Sequence, residues 1–114
     1  MKRLIAAYAA FLTMGAQAHF IDGNQLLANI ESQTPAERTF AIGFVTGVVD
    51  AAQNEIVCVP DRVTIKQVVD ISKTLLQQNP SIRHKPAAYI VLKAISDVWP
   101  CKVKAPTPSG VGAL

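Results

Sequence analysis

The chain has two cysteines, Cys58 and Cys101, and they frame its most strongly patterned stretch. Between them lie an amphipathic segment, a proline-bounded elbow, a second amphipathic segment and Trp99-Pro100. A bond between the two would tie the entry of one helix to the exit of the next. It would close a loop of roughly 44 residues, for which lost chain entropy in the unfolded state gives an upper figure of about 4 kcal/mol. Only two histidines accompany the two cysteines, and no close-spaced ligand pair is present, so the spacings of a zinc site are missing. Whether the sulfurs meet depends on the compartment the chain enters.

The N-terminus bears on that. Lys2 and Arg3 are followed by an apolar run from Leu4 to Met14, broken by Thr13, and then by Ala16-Gln17-Ala18. Charge, short apolar core and small-residue site in that order read as a secretory signal peptide over 1–18, cleaved after Ala18. The apolar run is about half the ~20 residues a spanning helix needs, so stable membrane insertion is not expected. The chain has 11 Lys and Arg against 8 Asp and Glu. Cleavage removes two of the basic residues, Lys2 and Arg3, and leaves a net charge near +1. No basic stripe survives that would mark a nucleic-acid binder. An exported chain of this size is one small domain, residues 19–101, and in an oxidising compartment its two cysteines are expected to pair.

Four helices are expected and no strand, which places the chain in the all-α class as a small bundle with one disulfide. A short first helix spans 25–33, with Leu26, Leu27 and Ile30 on one face and Asp22 or Asn24 as cap. Thr34 with Glu37 reads as a capping box with Pro35 at the first helical position. The second helix then spans about 35–54 and is apolar over most of its circumference, as a central helix would be. It holds Gly43 and Gly47 on one face. Each interior glycine costs a helix about 1 kcal/mol against alanine. The pair therefore marks either close approach of another helix or subunit, or space for a bulky neighbour such as Trp99. Thr64 with Gln67 is a second capping box, opening a helix over 65–78 whose inner stripe is Ile65, Val68, Val69, Ser72, Leu75 and Leu76. Asn79-Pro80 ends it. Pro86 begins the last helix, which buries Ala87, Ala88, Val91, Leu92, Ala94, Ile95, Val98 and Trp99 and stops at Pro100. Residues 102–114 are rich in proline and glycine, lack periodicity and read as a disordered tail.

Catalytic signatures are sparse. No serine sits in a nucleophile elbow, the helical glycines follow no strand, and Asp50 and Glu55 lie near a helix end as capping or solvated carboxylates do. Neither cofactor nor metal is called for. Arg83-His84-Lys85 forms a cationic tip between Pro80 and Pro86, either capping the last helix or serving as an exposed binding edge. An enzyme using His84 with a carboxylate is the weakest of the readings. Trp99 either packs beside the cysteines or anchors an interface.

Several stretches also resemble one family. Gly43-Phe44-Val45-Thr46-Gly47-Val48-Val49-Asp50-Ala51 is similar to the Gly-aromatic-aliphatic-x-Gly-aliphatic-x-Asp-Ala segment of the Rap/Tai proteins. Those are periplasmic immunity proteins against peptidoglycan amidases delivered by type VI secretion. Cys58-Val59-Pro60-Asp61-Arg62-Val63-Thr64-Ile65-Lys66-Gln67 resembles their helix entry. The run from Leu75 to Ala87 resembles their Arg-His elbow, Trp99-Pro100-Cys101 their ending, and Asp22-Gly23-Asn24-Gln25-Leu26-Leu27 the start of their mature domain. The resemblance implies a periplasmic, non-enzymatic inhibitor acting as a homodimer on a cell-wall amidase. An alternative is a module of the same fold that regulates another lytic enzyme or an envelope partner. Members often carry a further cysteine pair joining the first two helices, at positions that here are Ile30 and Ala41. Packing must replace that tie, and the first helix is the element expected to loosen. The shared motifs lie on caps, helix contacts and the cysteines, so they carry no toxin-binding residue across.

Overall fold

In the computed structural model, residues 20–102 are described. The expected signal peptide, and the tail beyond Lys102, lie outside them. The chain forms α1 (Gly23–Glu31), α2 (Pro35–Ala52), α3 (Ile65–Gln78), a 3-10 turn (Pro80–Ile82) and α4 (Ala87–Val98). Among the described residues there is no strand, only the isolated bridges Asp22–Pro86, Gln53–Val57 and Val57–Pro100. Each helix packs against the other three. Leu26, Val45, Leu76, Ile90 and Ile95 meet in the middle with no side-chain exposure, and Trp99 packs against their cluster from the edge. No helix of the described residues is long and apolar enough to cross a membrane.

The local chemistry sets the boundaries. α1 starts two residues earlier than its apolar pattern indicates, because the capping box forms at Asp22. Its carboxylate accepts from Gln25 N–H at 2.9 Å, and the Gln25 side chain accepts from Asp22 N–H at 2.9 Å. The box expected at Thr34 is absent: Thr34 is the N-cap of α2, but its side chain makes no cap bond. Its own N–H instead donates to Ser32 Oγ at 3.0 Å, while Pro35 occupies the first turn. The box at Thr64 does form, with Gln67 N–H donating to the threonine hydroxyl at 3.2 Å.

α2 ends at Ala52, short of the expected Asn54, which takes a left-handed φ of 71°. Gln53 leaves the helix and clasps the following loop from both sides, donating to Val59 C=O at 2.9 Å and accepting from Val59 N–H at 3.1 Å. Burial also departs from the expected stripes. Ile65 and Val98 are exposed and Ile90 is fully buried. α2 is not enclosed: Ala41, Val45, Val49 and Ala52 line its inner side, while Phe40 and Ile42 face outward.

Cys58 and Cys101 are bonded, with Cα atoms 4.8 Å apart. The join is reinforced by Cys58 N–H donating to Trp99 C=O at 2.9 Å. The bridge thus closes the open end of the α3–α4 hairpin, and the turn over 79–86, here called the elbow, closes the other.

Candidate protein-binding site

The elbow is held mainly by backbone. Arg83 N–H donates to Pro80 C=O at 3.3 Å, and Lys85 N–H to Ile82 C=O at 2.9 Å. The first turn of α1 then docks onto it. Gly23 N–H donates to Lys85 C=O and Asn24 N–H to Arg83 C=O, both at 3.0 Å, and Ala87 N–H donates back to Ile21 C=O at 3.0 Å. The free N–H groups at a helix start are here satisfied by the carbonyls of the loop they support. Gly23 is buried because nothing larger fits. A Cβ there would stand 2.5 Å from Ile90 Cδ1 and 2.8 Å from Arg83 C=O. The element expected to loosen for want of a second cysteine pair is therefore tied at its start by two main-chain bonds to the elbow, with a third between Ile21 and Ala87 beside them.

Of the three elbow residues singled out in the sequence, Arg83 has an internal task. Its Nε donates to Leu76 C=O at 2.6 Å and its Nη2 to Gln77 C=O at 3.0 Å. These are carbonyls that α3 leaves open at its C-terminus, where a positive charge is also favoured. His84 is exposed at the tip. The Lys85 ammonium lies 5.2 Å from the centre of the Tyr89 ring, in cation–π range. Among the described residues no hydrogen bond joins His84 to a carboxylate, and no group of three or more His, Cys, Asp or Glu could hold a metal.

Tyr89 extends this surface beyond what the motif indicates. It is 50% exposed and, with Ile56 at 52%, lines an open groove of about 420 Å³ that also includes Leu92 and Lys93. Ile56 stands on the turn after α2, held by Asn54 N–H donating to Val57 C=O at 2.8 Å. The four-residue spacing of Lys85 and Tyr89 was a usable signal. Nothing local to Ile56 could have linked it to them, because that adjacency exists only after folding. His84 and Lys85 thus form a polar tip beside a groove lined by Ile56, Tyr89 and Leu92 on one hand and Lys93, Ser96 and Asp97 on the other, on a support held by main-chain bonds and a disulfide.

The helical glycines lie elsewhere. Gly43 and Gly47 are exposed, neither has a positive φ, and nothing lies within 4 Å of a Cβ added at either. They do not make room for Trp99 or for any other neighbour among the described residues. Their cost of about 1 kcal/mol each in helix propensity has no return inside this structure.

The domain is a small helical bundle closed by one disulfide, with His84, Tyr89 and Ile56 exposed on one surface around the elbow and the last helix. The model of the Rap1a immunity proteins matches residues 22–101, and the chain belongs to that family. A comparison with curated proteins finds no match.

Proposed function

We propose that this is an exported immunity protein that binds and inhibits a peptidoglycan amidase toxin delivered by type VI secretion, acting in the periplasm without catalysis of its own. The observation that carries the reading is the family match over residues 22–101, which spans all four helices and both cysteines. Membership in an immunity family supports a toxin partner. The signal-like segment at 1–18 and a disulfide as the domain's covalent staple support an oxidising destination and hence a toxin that works there. Amidases that cut cell wall fit that destination. The contact surface on this reading is the elbow tip, His84 and Lys85 with Tyr89 and Ile56 beside them, and the working unit is a homodimer.

The test is co-expression with a panel of periplasm-targeted peptidoglycan amidases. The full chain should rescue cells from at least one of them and inhibit that enzyme when purified. A leaderless chain starting at His19 should give no protection. A protein that inhibits none of the panel, or that protects equally without its leader, would overturn the reading. For the surface, Lys85→Glu combined with His84→Ala should weaken binding in calorimetry while leaving thermal stability unchanged. Unchanged affinity would remove the elbow from the interface.

A further inference from the structure

A cleft of about 260 Å³ lies between the end of α2, the loop that follows and the start of α3. Much of its wall is apolar. Val49 and Val68 are buried in it, Val59 is half-buried, and Ile65 stands 53% exposed. Two exposed carboxylates, Asp50 and Asp61, share the lining, and no basic residue belongs to it; Arg62 follows Asp61 but is not among the walls. Among the described residues the ion pairs are Lys66–Asp70 and Lys93–Asp97, so neither carboxylate of the cleft is matched. Asp50 adds to an imbalance already present. It occupies the last turn of α2, which has no basic residue, at the end where the helix itself is negative. An apolar floor beside unmatched negative charge is complementary to a lysine or arginine side chain, whose long stem is apolar and whose head is cationic.

We infer that the cleft seats the chain's own segment beyond Cys101, with Lys104 as the side chain that enters it. The segment leaves the domain at Cys101, whose Cα is 4.8 Å from that of Cys58. Val59, on the cleft, is one peptide unit of about 3.8 Å beyond Cys58. The three residues from Cys101 to Lys104, extended, span about 10 Å, and the lysine stem adds to that reach. Residues 102–114 hold Lys102 and Lys104 and no acidic residue, so segment and cleft are opposite in charge. The other groove near Cys101 begins at Ile56, next to Val57, which pairs with Pro100. It is lined by Lys93 as well as Asp97 and offers a cationic segment no net charge. A contact made through one side chain asks for no periodic structure in the segment, whose sequence has none. The tether makes the encounter intramolecular, at an effective concentration of about millimolar, so a contact too weak to hold a free peptide suffices. The seat lies at the disulfide end of the α3–α4 hairpin and the elbow at the other, so the contact does not depend on the toxin-binding surface.

Amide NMR spectra of the full exported chain, bridge intact, compared with those of a chain stopped after Lys102, test it. Removing residues 103–114 should shift the Gln53 and Thr64 amides, both on the cleft, and leave those of Tyr89 and Leu92 in place. Salt at about 0.5 M, where screening shortens to about 4 Å, should move Gln53 and Thr64 of the full chain toward their positions in the stopped chain. Lys104→Glu should reach those positions at low salt. Asp50→Lys and Asp61→Lys combined with Lys104→Glu should again differ from their own stopped form at Gln53 and Thr64, a rescue that damage to the fold cannot produce. Identical spectra with and without residues 103–114 overturn the inference. So does a shift confined to Ile56, Tyr89 and Leu92, which would put the segment in the other groove, or a Lys104→Glu chain that keeps the wild-type positions. If stopping the chain has no effect but an added amidase moves Gln53 and Thr64, the cleft takes a basic side chain of that partner and the inference falls.

Discussion

Replacing Gly23 and Gly43 with alanine makes one chemical change at two glycines within helices, and the structure sets opposite signs for it. At Gly23 the new methyl would sit 2.5 Å from Ile90 Cδ1, 2.8 Å from Arg83 C=O and 3.0 Å from Arg83 Cα. Ile90 is fully buried and has little space in which to turn aside, and the other two obstacles are backbone. Relief requires the start of α1 to back away from the elbow, stretching the Gly23–Lys85 and Asn24–Arg83 bonds, both 3.0 Å. Overpacking of this kind costs about 1–3 kcal/mol, and loosening two hydrogen bonds adds about 1 kcal/mol. At Gly43 the methyl meets nothing within 4 Å, so the helix gains up to about 1 kcal/mol. A domain of this size shifts by about 4–8 °C per kcal/mol. Gly23→Ala should therefore melt about 8–30 °C below wild type and Gly43→Ala a few degrees above it. The assay is far-UV circular dichroism on dilute protein with the bridge intact, so that association does not contribute. A Gly23→Ala chain as stable as wild type would refute the clamp between α1 and the elbow. A Gly43→Ala chain that melts lower when monomeric would refute the open space over α2.

Three further outcomes follow from the same structure. Thr64→Ala should cost about 1 kcal/mol in urea unfolding, whereas Thr34→Ala, which removes no cap bond, should cost no more than a few tenths. Arg83→Met should lower stability by about 2 kcal/mol, the value of charge-assisted bonds to two helix carbonyls, and Arg83→Lys should recover only part because an ammonium does not reproduce the two-pronged geometry. Reduction of the Cys58–Cys101 bridge, or Cys101→Ser, should cost up to about 4 kcal/mol, read as a shift in urea midpoint between otherwise identical samples.

Where a sequence pattern and a local bond coincide, the chain was legible in advance. Thr64 and Gln67 show this: residue types at fixed spacing, followed by an amphipathic run, are enough to place the start of α3. Thr34 and Glu37 have equally good spacing, yet no box forms: Glu37 N–H donates to Thr34 C=O at 3.1 Å and the Thr34 N–H donates to Ser32 Oγ at 3.0 Å. Gly23 reads locally as a residue before a helix, and its inclusion in α1 follows from Asp22 and from an elbow sixty positions away in sequence. Arg83 illustrates the limit for the site. As a residue type in a loop it reads as exposed charge, but its partners are the end of a helix seven and six residues back, reached only once the 3-10 turn has folded the chain over. Tyr89 and Ile56 are drawn together by tertiary packing alone, so no window of sequence contains both with their groove. The glycines of α2 were marked by their cost, and the structure removed one of the two explanations for it.

The way the elbow is held has an evolutionary side. The bonds that tie its path to α1 and to the 3-10 turn join peptide groups: Gly23 to Lys85, Asn24 to Arg83, Lys85 to Ile82, and Arg83 to Pro80. Peptide groups are supplied by nearly any residue. The side chains at Ser81 and His84, both exposed, can therefore be exchanged without asking the hairpin to find a new shape. A protein that must follow a changing adversary gains from such a division of labour. One set of positions keeps the loop in place, a different set is left to face outward, and a substitution in the second is not first filtered by folding.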